Sequence, residues 1–199
     1  MSKSPTKKQL THQRMLDAAS QSFRSNGYAG IGVDGIAKAA GVTSGAFYAH
    51  LGSKDKAFSA VLESGLDEVI EAIPGFQNEG GSDWVRAFVD YYMGREHRDD
   101  LACGCAMTTL SPEVVRAGPE LHGNYEKKMK KIAELIANGL EGESKAERLA
   151  RAWAMLGILI GGLTMARAVK TQKAADEIAL SIRTSAINVA GNAKQPLNI

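Results

Sequence analysis

The sequence predicts an all-α chain of nine helices, and three observations carry that expectation. Apolar residues recur three and four positions apart along most of the 199 residues, the spacing of one face of a 3.6-residue helix. Strict apolar–polar alternation, which a half-buried strand needs, is nearly absent. Glycine or proline clusters separate the periodic stretches, and a Ser or Thr stands ahead of several of them as a ready cap. At 44% hydrophobic the chain is long enough to bury a sizeable core.

The first helix is expected from about Thr6 to Ser25, with Met15, Leu16, Ala19 and Phe23 on one side and Lys7, His12, Arg14 and Asp17 elsewhere. Gly27 stops it, and Tyr28 to Gly32 is a glycine-rich connector. Two short helices follow around a single glycine. Val33, Ile36, Ala37 and Ala40 make the first, Gly41 ends it with a positive φ, and Thr43 caps the second. Phe47 and Leu51, four apart, turn toward a core, while Ser44, Tyr48 and His50 look outward. Two helices crossing at a small residue, the second with an outward polar face, make a helix-turn-helix over about residues 33–51.

Ser53 caps a long fourth helix bearing Phe58, Leu62, Leu66, Val69 and Ile73, which Pro74-Gly75 is expected to end. The Gly-, Pro- and polar-rich stretch from Pro74 to Ser82 marks the passage to the second half. Ser82 caps a fifth helix with Trp84, Val85, Phe88, Tyr91 and Tyr92 that fades in Arg95 to Asp100. A sixth runs from about Cys105 to Ala117, kinked or restarted at Ser111-Pro112. Gly118-Pro119 precedes a seventh with Leu121, Tyr125, Met129, Ile132 and Ile136. Ser144-Lys145-Ala146-Glu147 is a capping box for the eighth. There Leu149, Trp153, Leu156, Ile160 and Leu163 form one apolar face, with Ala152, Met155, Leu159 and Met165 around the other side. A helix apolar all round must be covered all round. The ninth, Thr171 to Ala190, carries Ala175, Ile178, Ile182, Ala186 and Val189 on a narrow stripe.

Charge is distributed unevenly. Up to Lys56 there are eight Lys and Arg against three Asp, a net of +5, which leaves −3 for the remainder of a chain whose formal net charge is +2. That asymmetry is expected of a phosphate-binding head on a neutral-to-acidic body. Met1 to Leu10 is polar and lysine-rich, unlike a signal peptide or membrane anchor. The apolar stretch Ala152 to Ala166, broken only by Thr164, falls short of a bilayer span. Two cysteines make no disulfide framework, and a reducing cytoplasm is the simplest compartment.

The segment from about Met15 to Phe58 resembles the DNA-binding domain of the TetR family of bacterial transcriptional regulators. The resemblance is carried by Ala40-Gly41-Val42-Thr43-Ser44-Gly45-Ala46-Phe47-Tyr48-Ala49-His50-Leu51, then Ser53-Lys54-Asp55-Lys56 and Phe58, with Gly27-Tyr28 upstream. It implies a DNA-binding head over residues 1–53 and a ligand-binding and dimerisation body over 54–199. By resemblance, Tyr48 and His50 hold backbone phosphate, Thr43 offers its hydroxyl and N–H at the helix N-terminus, and Lys54 reaches a second phosphate. Ser44, Gly45 and Ala46 lie nearest the bases. The partner implied is a palindromic duplex operator, bound by a homodimer whose last two helices pair in a four-helix bundle. Gly157 and Gly161, four apart, either let helices approach closely or simply loosen the eighth helix. A small, mostly apolar or aromatic effector is expected among helices four to eight, near Trp84, Phe88, Tyr91, Met107, Leu110, Tyr125, Trp153 and Met155. The function implied is a repressor released by that effector, with neither cofactor nor membrane partner.

The sequence departs from the family pattern at several positions. Ile31 and Gly32 stand where hydroxyl caps are usual, Gly35 lies inside the second helix at a cost of about 1 kcal/mol against alanine, Ala49 is smaller than usual, and Leu51 replaces a phenylalanine. Specificity is therefore expected to lean on indirect readout or on an N-terminal arm with Lys7 and Lys8. Two other readings stand beside this one. Gly30-Ile31-Gly32-Val33-Asp34-Gly35 matches a dinucleotide fingerprint, but the strand and full-length helix that fingerprint needs are missing from the pattern. Cys103-Gly104-Cys105 reads as two small buried residues, as a redox or electrophile sensor, or, with His97 or His122, as a metal site. The four histidines have no partner in a recognisable catalytic motif.

Overall fold

The computed structural model describes residues 6–102 and 104–192. Among them are eleven α-helices and one 3-10 turn: α1 Lys7–Gly30, α2 Val33–Ala39, α3 Ser44–Leu51, α4 Lys54–Gly80, the 3-10 turn Gly81–Asp83, α5 Trp84–Tyr92, α6 Arg95–Asp99, α7 Ala106–Thr109, α8 Ser111–Val114, α9 Pro119–Gly139, α10 Lys145–Ala168 and α11 Gln172–Ala190. The nine-helix plan holds, with two of its members divided. The fifth breaks at Met93–Gly94 before α6, and the sixth is two single turns meeting at Leu110–Ser111. The chain forms two compact units, Met1–Gly65 with Leu101–His122, and Leu66–Asp100 with Gly123–Ile199.

In the first unit, α1 starts on a reciprocal capping box between Thr6 and Gln9 and is interrupted at Gly27, whose φ of 71° only glycine adopts cheaply. Lys7 and Lys8 lie in the first turn of α1, so the expected arm does not include them. Met15, Ala19 and Phe23 from α1 are fully buried with Ile36, Phe47 and Leu62. Phe23, Tyr28 and Phe58 form a ring cluster, with Phe58 edge-on to both others at 5.3 Å. The segment from Gly104 joins this unit through a buried arginine. Arg24 Nη1 donates to the Gly104 carbonyl at 2.9 Å. A Cβ on Gly65 would meet Ala106 at 2.6 Å and Arg24 Nη2 at 2.8 Å, so glycine is what lets the guanidinium pass between α4 and α7.

The second unit corrects the reading of Pro74. Helix α4 does not end there; it runs on to Gly80 with Pro74 inside. A mid-helix proline sacrifices a backbone hydrogen bond, and the turn beyond it is held from outside: Gln77 Nε2 donates to the Leu135 carbonyl at 2.8 Å, and Phe76 packs edge-on against Phe88 at 5.4 Å. Trp84 is fully buried and donates from Nε1 to the Gly139 carbonyl. Arg167 gathers the carbonyls of His97, Arg98 and Asp100, satisfying the end of α6, and Arg151 Nη1 does the same for Ala190 at the end of α11.

Helix α10 corrects two further expectations. Its 24 residues make it long and apolar enough, by length and composition, to cross a bilayer, so shortness does not exclude a span. What marks it as a packed helix is its face of Ala152, Met155, Leu156, Leu159, Gly162, Leu163 and Ala166, buried within this chain. Its coverage is not complete, however: Trp153 and Met165 are exposed, as is Leu180 on α11. The close approach of α10 to α11 is made at Gly162, where a Cβ would stand 2.5 Å from Ile182 Cγ1 and Cγ2, and not at Gly157 or Gly161, which have no atom within 4 Å. Gly162→Ala is therefore expected to destabilise the fold by about 1–3 kcal/mol through overpacking, despite the better helix propensity of alanine. Gly161→Ala should be neutral or stabilising by up to about 1 kcal/mol. Urea unfolding of the two variants side by side measures the difference.

Candidate nucleic-acid interface

Helix α2 ends at Ala40, Gly41 reverses the chain at φ 67°, and Thr43 begins α3 by accepting the Ala46 N–H at 3.2 Å. Inside α3, Phe47 is fully buried and Leu51 nearly so, which fixes the opposite face outward. That face carries Gly45, Tyr48 and Ala49 exposed, with Tyr48 at 55%, and Ala46 half-buried. The Tyr48 ring stands edge-on to Phe47 at 5.7 Å, so a core side chain sets its direction. Thr43 keeps a hydroxyl proton to give, because its oxygen serves the cap as acceptor. The N–H groups of Ser44 and Gly45 open the first turn without intrahelical partners, as at any helix start. An anion is favoured at such an end.

Ser44 behaves differently from its neighbours. Its hydroxyl donates to the Asp34 carboxylate across the turn at 2.5 Å, so its proton is committed to holding α2 and α3 together. Asp34 thus supplies a tie where Gly32, the N-cap of α2, gives no side-chain hydrogen bond. Gly35 has a reason as well: a Cβ there would stand 2.6 Å from Ile31 Cδ1, so the isoleucine side chain folds over the bare start of α2.

His50, half-buried in the last turn of α3, has His12 of α1 beside it, ring centroids 6.1 Å apart. The Lys54 ammonium sits 4.3 Å from the centroid of the Tyr28 ring, a cation–π contact. The Tyr28 phenol donates to the Asp55 carboxylate. Tyr28, His12 and Asp34 were not legible as parts of this surface, because each meets it through a contact distant in sequence that leaves no local spacing.

Tyr28 makes a testable statement about stability. Burial first, then the hydrogen bond to Asp55 and its negative charge, push the phenol from 10.0 up to about 12. A raised folded value means the contribution is intact below pH 10 and is lost as pH climbs from 10 toward 12. Denaturant midpoints across that window should fall more steeply for the parent protein than for Tyr28→Phe, which has no phenol to ionise.

The remaining expected site residues are spread over both units. Trp84, Phe88 and Met155 are buried in the second unit, where Tyr125 is half-buried and Tyr91 and Trp153 are exposed. Phe88 and Tyr91 flank Phe76, and Tyr91 and Tyr92 each lie 5.1 Å from His97, so Phe76 and His97 belong to an aromatic group that the sequence reading built without them. Met107 and Leu110 are fully buried in the first unit. Cys105 is buried just before α7, where an oxidant reaches it only through local opening; Cys103 lies outside the described residues. His122 Nε2 is 2.6 Å from the Val114 carbonyl. The Gly30–Gly35 stretch follows the helix α1 and leads into a helix of seven residues, so the dinucleotide reading lacks its strand and its helix.

Residues 15–61 match the profile described as bacterial regulatory proteins, tetR family. No curated protein matches the chain. Among solved structures, the reduced form of NemR from E. coli superposes with a TM-score of 0.75 at 19% identity, covering 94% of this chain and 98% of that one. A TetR-family regulator from Cytophaga hutchinsonii gives 0.75 at 16% identity over 98% and 100%. One from Agrobacterium tumefaciens gives 0.75 at 14% over 89% and 98%. These likenesses are of fold, while the profile match falls on the helix-turn-helix that the geometry exposes. Residues 15–61 thus form a DNA-binding domain of the tetR-family type, and the chain as a whole shares the fold of the TetR-family regulators on which it superposes.

Proposed function

We propose that the chain is a homodimeric repressor that grips a palindromic operator with one α3 per half-site and releases it when a small apolar or aromatic effector binds the body. One observation supports this above the rest: α3 buries Phe47 and Leu51 and holds Tyr48 out on a face that opens with anion-seeking N–H groups. In this reading Tyr48, His50, Thr43 and Lys54 hold phosphates for register, and Gly45 and Ala46 pass close to base edges. Ser44 acts chiefly through Asp34. With so few side chains able to read bases, shape and deformability of the operator carry much of the selectivity.

Dimerisation rests on the exposed apolar side chains Trp153 and Met165 of α10 and Leu180 of α11, which two copies would cover. The effector is placed with the aromatic group of Phe88 and Tyr91 in the body, and it acts by favouring a dimer whose heads are spread too far for one face of the duplex. A cytoplasmic setting follows from the DNA partner. Footprinting the purified protein on its own promoter region tests the whole reading. A protected site with two-fold symmetry is expected, and uniform protection along the fragment overturns it in favour of a DNA-coating protein.

A further inference from the structure

The first unit contains a half-open cavity of about 790 Å³ that lies apart from the residues expected to hold an effector. Three segments far apart in sequence enclose it: the end of α1, the first turns of α4, and the chain from α8 into α9. Such a volume is in the range of small-molecule sites. Its apolar wall is made of the Tyr28 and Phe58 rings, Ala117 and Leu121, and charged side chains stand around it.

The rim is where the cavity acquires chemistry. Glu113 lines it with a carboxylate side chain 23% exposed, whose salt-bridge partner Arg116 is at 3.8 Å. Arg116 is drawn away because its Nη1 donates to the Pro112 carbonyl at 2.9 Å. The carboxylate leans over bare backbone, since a Cβ on Gly27 would stand 2.9 Å from Glu113 Oε1. Asp55 and Glu120 add two further negative charges against Lys56 and Arg116, so the cavity as a whole is net negative.

One wall of the cavity also belongs to the DNA-facing surface. The Tyr28 ring that lines it carries the Lys54 ammonium, and the Asp55 carboxylate that lines it accepts the Tyr28 phenol proton. A guest lying against Tyr28, or drawn to Asp55, changes the footing of Lys54 directly, within one unit.

We propose that this cavity is a regulatory site for a small aromatic amine, whose ring lies against the apolar wall of Tyr28, Ala117 and Leu121 and whose ammonium pairs with Glu113, and that its occupation alters operator binding through Lys54. The coupling to the operator rests on the repressor reading, whereas binding itself does not. Calorimetric titration of the full-length protein with tryptamine, and with indole-3-propionate as a guest of similar shape and opposite charge, separates the two. Tryptamine is expected to bind once per chain, and the acid at least about tenfold more weakly. Glu113→Gln should weaken tryptamine by about tenfold or more, and Ala117→Trp should fill the cavity and abolish binding, with both variants melting as the parent does. Absence of tryptamine binding, equal binding of the acid, or indifference to both substitutions overturns the site. Saturating tryptamine should shift operator affinity by about fivefold or more, and binding with no shift overturns the coupling. A chain that takes tryptamine in this cavity yet protects no two-fold DNA site leaves the cavity standing and removes the repressor reading instead.

Discussion

Tyr48→Ala combined with His50→Ala lowers operator affinity by about a hundredfold or more, while the head stays folded. In the proposed reading each side chain gives one hydrogen bond to a phosphate oxygen, and bonds to charged acceptors are worth about 1.5–3 kcal/mol apiece. Two lost together exceed the 2.7 kcal/mol that corresponds to about a hundredfold, even with some mutual compensation. The cost to the fold is small, because Tyr48 is 55% exposed and contributes mainly its edge-on contact with Phe47, worth about 0.5–1.5 kcal/mol. Phe47→Ala is the counter-example. It empties a site with no exposure at all, costs about 3–5 kcal/mol, and would abolish binding by loosening α3 itself. Fluorescence anisotropy on the footprinted operator, paired with thermal melts, distinguishes lost contacts from lost structure. An affinity for the double variant within threefold of the parent removes α3 as the reading head.

That surface was legible in the sequence to an unequal degree. Local chemistry came through: Gly41 adopts the positive φ read for it, Gly27 interrupts the first helix, and Thr43 and Ser144 cap the helices that follow. Even there, the box at Ser144 closes one residue early, with Glu147 accepting from the Glu143 N–H. Pro74 misled because its helical rule is local, whereas Gln77 and Phe76 hold the helix from outside. Lys54 on Tyr28, Ser44 on Asp34, His12 beside His50 and Arg24 under Gly104 left no trace in periodicity. Each joins residues whose separation along the chain carries no information about their meeting in space. The cavity bounded by Tyr28, Phe58 and Glu113 is the extreme case, since none of its three segments is unusual by itself.

Gly157→Lys with Gly161→Lys should leave a well-folded single chain that no longer dimerises and binds the operator about 10²- to 10⁴-fold more weakly. A Cβ at either position meets nothing within 4 Å, so each lysine is free to extend into solvent. Replacing helix-interior glycines also gains up to about 1 kcal/mol each in helix propensity. Stability of the isolated chain is thus expected to rise. The same stripe of α10 carries the exposed Trp153 and Met165, and a second helix can come close to it only where side chains are missing. Two ammonium groups set there block that approach and, once buried, would lack partners. Operator affinity falls because a dimer binds its second half-site at the effective concentration its linkage provides, and a monomer has no such advantage. Sedimentation equilibrium gives the oligomeric state and anisotropy the affinity. A double variant that remains a dimer with unchanged operator binding places the two-fold contact elsewhere on the chain. One that loses both while its melting temperature holds or rises locates that contact on the glycine face of α10.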